Sequence, residues 1–124
     1  MIEVERVDYI RVPVTDIEEA THFYGEVLGL PESEYSDGEV ETPNVTLGFW
    51  DPEADGEPFV PNEAGIGLRV ADVHAAVDDV RAAGADVIGI EDSGVCQMGF
   101  VKDPDGNVLI LHRRYAPRER RGQG

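Results

Sequence analysis

RVPVTDIEEATHFYGEVLGL, residues 11–30, reads as a strand running directly into a helix. Ile10, Val12 and Val14 alternate with polar or small neighbours, the pattern of a strand with one buried face. Ile17, Ala20, Tyr24, Val27 and Leu28 then recur at helical spacing. The Thr15-Asp16 step is an N-cap signal, and Thr15 with Glu18 fits a capping box. Gly29 stands where a helix C-terminus takes a left-handed residue.

The same grammar returns 56 residues later. Ile66, Leu68, Val70 and Asp72 match Ile10, Val12, Val14 and Asp16. Val73, Ala76, Val77, Val80 and Ala83 form the second helical stripe, closed by Gly84. Each helix is followed by short, turn-rich strand patterns. After the first come Glu34–Tyr35, Glu39–Glu41 and residues 45–50, with turns at Ser36-Asp37-Gly38 and Pro43-Asn44. After the second come Asp86–Ile90, a break over Glu91–Gly94, Cys96–Lys102 and Val108–His112. Asp105-Gly106 inside DPDGN, residues 103–107, is a strong hairpin signal.

The expected fold is therefore α+β: two βαβββ modules forming a shared cup. A sheet covered by a helix on one face leaves its other face bare, and two such faces curled together make a concave small-molecule site. The expected organisation is a single domain over residues 1–115. Module one spans 1–50, a Pro/Gly/acid-rich linker 51–64 and module two 65–115, with a mobile Arg-rich tail at 116–124.

Composition narrows the partners. The 124 residues carry 26 acids and 10 bases, a net charge of −16. Five of the arginines lie in residues 113–121, which leaves residues 1–112 with 25 acids against 5 bases. That field repels nucleic acid and anionic membrane. Many carboxylates with a single lysine, Lys102, fit a halophilic, high-salt setting, where screening relieves self-repulsion. No apolar run approaches the roughly 20 residues of a membrane span. The acidic start carries no signal-peptide pattern, and the lone Cys96 suits a reducing cytoplasm.

Three stretches together resemble the vicinal oxygen chelate superfamily, which includes glyoxalases, bleomycin-resistance proteins and extradiol dioxygenases. They are D16-IEEATH-F23-Y24-GEV-L28-G29-L30, V70-A-D72-V with Gly84, and F100-VK-DPDGN. The resemblance implies a homodimer and, in metal-dependent relatives, a divalent ion held by His and Glu in the cup. Mapped by register, the ligand positions fall on Tyr9, Leu47, Gly65 and Ile110. Neither glycine nor an aliphatic side chain offers a ligand, and a phenol with a pKa of about 10 is a poor one. The expectation is therefore no resident metal.

Strand alternation suggests the lining directly: Tyr9, Arg11, Trp50, Arg69, Ile110 and His112. Arg11 and Arg69 either clamp an anionic ligand group or pair with nearby acids. His112 is either a base or a rim histidine. Either Phe49 or Trp50 faces the cup, as does one of the two faces of residues 97–101. Gly65 and Gly67 suggest close approach of a ligand or of another sheet. The reading favoured by these residues is a small-molecule binder. The alternatives are a lyase, isomerase or dioxygenase using non-standard ligands or Tyr9, Arg11 and His112 as acid–base groups, and a subunit-interaction protein with a vestigial cup.

Overall fold

A computed structural model of the chain describes residues 1–117; most of the expected Arg-rich tail, from residue 118, lies outside the described residues. The fold is α+β. The chain separates into two compact units, Met1–Ala64 with Asp103–Asn107, and Gly65–Lys102 with the chain from Val108 onward.

In the first unit, β1 (Tyr9–Pro13) leads into α1 (Ile17–His22), and β2 (Glu39–Glu41) and β3 (Thr46–Trp50) follow. The sheet order is β1-β3-β2, with β1 parallel and β2 antiparallel to β3. The expected strand at Glu34–Tyr35 does not form; a single bridge from Glu32 to Val40 takes its place. The apolar stripe packs one face of the sheet: Val12, Val14, Ala20, Phe23, Tyr24, Val40, Leu47 and Phe49 are buried. Full burial of such side chains contributes about 1.5–3 kcal/mol each.

Asp16, rather than Thr15, caps α1 by accepting a 3.0 Å hydrogen bond from Glu19 N. Thr15 is engaged elsewhere, donating through N and Oγ1 to the Asp105 carboxylate, so the expected capping box with Glu18 is replaced. The helix also changes pitch. Phe23–Val27 form a π-helical turn, with Leu28 N donating to Phe23 O across five residues. The added residue per turn lets the adjacent aromatics Phe23 and Tyr24 both enter the core, in edge-to-face contact at 5.4 Å. Gly29 closes the turn at φ 72°, as expected.

The second unit repeats the plan. β4 (Ile66–Arg69) leads into α2 (Val73–Ala82), followed by β5 (Val87–Asp92), β6 (Cys96–Lys102) and β7 (Val108–Arg114). The order is β4-β7-β6-β5, with only the β4–β7 pair parallel. β5 runs two residues into the expected break, ending at Asp92, and its irregularity lies at Ile88, between Val87 and Gly89. Val73, Val77 and Val80 of α2 pack over Val101, Leu109 and Leu111. Gly99 is required beneath that helix, since a Cβ there would lie 2.5 Å from Val77 Cγ2.

The DPDGN turn between β6 and β7 belongs to the first unit, where it forms a buried polar knot. Asp103 is 5% exposed and has no cationic partner among the described residues. Its Oδ1 accepts from Asp105 N and Asn107 N, each at 2.9 Å. Its Oδ2 accepts from Tyr24 OH at 2.7 Å and Asn107 Nδ2 at 2.8 Å. Asn107 also donates to Pro13 O at 2.7 Å and accepts from Asn62 N at 2.7 Å. Four donors replace the water a buried carboxylate loses. Burial first, then the Asp103 charge and hydrogen bond, push the Tyr24 phenol well above its ordinary range.

Candidate functional site

Each sheet has a face that its helix does not cover, and pairing register says which side chains stand on it. In the first unit the buried residues Val12, Leu47 and Phe49 point towards α1. Their neighbours therefore occupy the open face, in the cross-strand rows Tyr9–Thr46–Glu41, Arg11–Gly48–Glu39 and Pro13–Trp50. Trp50 is thus the open-face aromatic. Phe49 is core, its ring 5.0 Å from that of Tyr24.

This register corrects one sequence assignment. Leu47 is fully buried beneath α1 and pairs with Ile10, so it is not on the open face. The counterpart of Ile110 is Gly48: Ile110 pairs with Gly67, Gly67 matches Arg11 across the 56-residue repeat, and Arg11 pairs with Gly48. The one-residue error arose because the turns before β3 and β7 differ in length, and one residue of slip exchanges sheet faces.

The second unit has two main rows on its open face. Gly67–Ile110–Phe100–Gly89 lies beside Arg69–His112–Met98–Glu91. Met98 and Phe100 are therefore the open-face residues of β6, whereas Gly99 and Val101 are buried. The two glycines of β4 differ. At Gly65, φ is +103° and a Cβ would meet Ile110 Cδ1 at 2.9 Å, so the Ile110 side chain already fills that gap. At Gly67 a Cβ would meet nothing within 4 Å, so only Gly67 leaves open space.

Among the described residues two arginines make ion pairs. Arg6 pairs with Asp8 and Arg81 with Asp78, each at 3.2 Å. Arg11 and Arg69 have no acidic partner within 4.0 Å among the described residues, so the ion-pair alternative is not what the structure adopts. Arg11 instead lies over the Trp50 ring, its guanidinium carbon 4.4 Å from the centroid. The indole Nε1–H donates to Asp55 Oδ2 at 2.8 Å. Asp55 ends a 3₁₀ turn, Pro52–Asp55, whose N-cap Asp51 accepts from Glu53 N and Ala54 N. Arg69 is exposed and neighbours His112 across the β4–β7 ladder.

The metal positions of the resembled family carry Tyr9, Gly48, Gly65 and Ile110 once register is corrected. This set offers one exposed phenol and no imidazole or carboxylate. Among the described residues no three His, Cys, Asp or Glu converge to hold a metal ion. The donor set does not fit the family's ion.

Sequence reading missed Tyr24, Asp103 and Asn107 as one buried network and Asp55 as the anchor of Trp50. The DPDGN pattern announced a turn, but its partners are 79 and 94 residues distant and only folding brings them together.

Comparison with solved structures supports the architecture. TnmS3, an antibiotic-binding protein from Streptomyces sp. CB03234, is 26% identical with a TM-score of 0.76, over 93% of this chain and 100% of that one. A superfamily member from Sphaerobacter thermophilus is 22% identical with a TM-score of 0.73, over 88% and 97%. One from Nocardioides is 19% identical with a TM-score of 0.71, over 100% and 93%. The latter two speak for the fold alone. No curated protein matches the chain significantly in sequence. The family model for the Glyoxalase/Bleomycin resistance protein/Dioxygenase superfamily matches residues 6–111, most of the chain, and establishes that the chain belongs to this superfamily.

Proposed function

We propose that this chain is a small-molecule-binding member of the superfamily, taking its ligand on the helix-free sheet faces without a resident metal. The observation that carries this reading is the exchange of chemistry on those faces. Where metal-dependent relatives place an ion's ligands, this chain has Tyr9, Gly48, Gly65 and Ile110. Beside those positions stand recognition groups: Arg11 on Trp50 in one unit, Arg69 with His112 and the apolar Ile110, Phe100 and Met98 in the other. A few polar groups set among apolar and aromatic ones is the usual lining of a small-molecule site. Ligand binding as the stated property of TnmS3 at 26% identity supports the same class. Ile2, Val4 and Val7, exposed at the start of the chain, suit burial in the twofold dimer expected for the family.

Two measurements on the full chain test the reading. Metal analysis after dialysis is expected to find substoichiometric Zn, Ni, Mn and Fe; one tightly held equivalent would overturn metal-free recognition. A thermal-shift screen of drug-like and metabolite-like molecules is expected to find ligands for the folded state. At 100 times Kd, binding contributes about 2.7 kcal/mol, or roughly 10 °C for a chain of this size. Failure of every compound class to raise the midpoint would overturn the binder reading.

A further inference from the structure

The arginine on the first unit's open face is held in a form suited to a particular ligand group. Arg11 is exposed, and none of its guanidinium N–H groups donates to a protein acceptor within the described residues. Its guanidinium nevertheless has a defined resting place, 4.4 Å above the Trp50 centroid. The indole below it is tethered through Nε1–H to Asp55. Hydrogen bonding to a carboxylate enriches the ring's π-cloud and strengthens its attraction for the cation above. The result is a planar fork of donors, held by an aromatic ring and unused by the protein. That is a geometry for bidentate contact with a carboxylate.

The surroundings define the rest of the ligand. Gly48, paired with Arg11, leaves open space where a side chain would stand, and a Cβ there would meet nothing within 4 Å. Tyr9, 60% exposed, lies one pleat along the same face. A flat ring can therefore rest on the strand backbone at Gly48 between Tyr9 and the stacked pair. Glu39 comes next in the Arg11–Gly48 row. A second anionic group directed that way meets like charge, in a chain already at −16.

We infer that Arg11 and Trp50 form a subsite for the carboxylate of a planar aromatic monoacid, with Gly48 as the floor for its ring. The inference rests on the ligand-binding reading above and names the ligand class for one of its faces.

Trp50 is the only tryptophan, so the ¹⁵N-labelled chain gives one indole N–H resonance that reports on the subsite directly. Titration compares three probes of one shape: 2-naphthoate, its neutral amide 2-naphthamide, and 2-naphthylmethylammonium. Naphthoate is expected to shift the indole resonance and to bind about tenfold tighter than the amide, the scale of one charge-assisted interaction. Arg11→Ala is expected to abolish that tenfold preference while changing amide affinity less than about twofold, and Arg11→Lys to restore part of it. Because the Arg11 side chain is exposed and its one contact among the described residues is the cation–π contact with Trp50, Arg11→Ala is expected to lower the melting midpoint by no more than about 5 °C and Arg11→Lys by less. If the amide or the ammonium compound binds as well as naphthoate, or if Arg11→Ala keeps the preference, the carboxylate inference fails while the binder reading stands. If none of the three moves the resonance, the inference again fails. The wider screen then judges the binder reading separately.

Discussion

Replacing Tyr24 with Phe removes one oxygen from the buried knot and leaves the ring in place. The deleted hydroxyl donates to Asp103 Oδ2 at 2.7 Å, from a fully buried ring to a carboxylate only 5% exposed. Asp103 keeps three donors, from Asp105 N, Asn107 N and Asn107 Nδ2, so the carboxylate remains partly satisfied. A hydrogen bond to a charged group contributes about 1.5–3 kcal/mol. The expected loss at pH 7 is about 2 kcal/mol, or a fall in Tm of roughly 6–10 °C for a chain of 124 residues. The same structure fixes a pH signature. Burial and Asp103 raise the Tyr24 phenol above its ordinary value, so the folded state holds this proton where the unfolded state releases it. Below about pH 10 both states are protonated and the stabilisation is complete; above it, ionisation of the unfolded chain lowers stability by up to about 1.4 kcal/mol per pH unit. Tyr24→Phe lacks that slope, so the two stability curves converge by about 1.4 kcal/mol by pH 11. Urea unfolding followed by far-UV circular dichroism from pH 7 to 11 measures both effects. Equal midpoints at pH 7, or a gap that stays constant to pH 11, would refute the role assigned to the hydroxyl.

Asn107→Asp replaces the Nδ2 that donates to Pro13 O and Asp103 Oδ2 with an oxygen facing two acceptors. At about 1–3 kcal/mol per orphaned buried group, a loss of about 3–5 kcal/mol is expected in urea unfolding. Gly99→Ala places a methyl 2.5 Å from Val77 Cγ2 and is expected to cost about 1–3 kcal/mol. Gly67→Ala meets open space, so its stability should stay within about 0.5 kcal/mol of wild type while any ligand of the second unit's open face binds more weakly. The Asp92 carboxyl is held below its usual range by the Tyr115 hydroxyl at 2.7 Å, and next by Gly94 N–H. An NMR titration of Tyr115→Phe should therefore move the Asp92 midpoint upwards, and the variant's stability deficit should vanish at pH values below that lowered midpoint.

The 56-residue repeat made most of the fold legible, because burial writes a period into sequence. Ile10, Val12, Ile66 and Leu68 alternate under the constraint of a helix above them, and Asp16 and Asp72 mark where each strand becomes a helix. Where several local answers satisfy the same pattern, the reading failed. Thr15 and Asp16 are both competent caps, and the choice falls to Asp16 because Asp105, 90 residues away, takes Thr15. Glu34–Tyr35 has strand-like composition but no apolar alternation to hold it against α1, and it stays unpaired. Leu47 was misplaced because counting across loops of unequal length carries no information about which face a residue meets. The surrounding pattern did carry it: Leu47 and Phe49 flank a glycine, and a β3 with its helix-facing residues at 47 and 49 puts Gly48 outside.

The corrected register turns the repeat into an argument about function. On the helix-facing side the two units place like opposite like: Ile10 and Ile66, Val12 and Leu68, Leu47 and Leu109, Phe49 and Leu111. On the open side every pair differs in chemistry: Tyr9 and Gly65, Arg11 and Gly67, Pro13 and Arg69, Gly48 and Ile110, Trp50 and His112. Packing against a helix explains the first set without reference to any ligand. It does not explain why Arg11 and Arg69 stand on these faces with no acidic partner among the described residues, while Arg6 and Arg81 are paired elsewhere. Keeping Arg11 on an indole instead of an acid leaves its charge and its donors available to a partner from outside, which is what a binding face requires and a purely structural one does not.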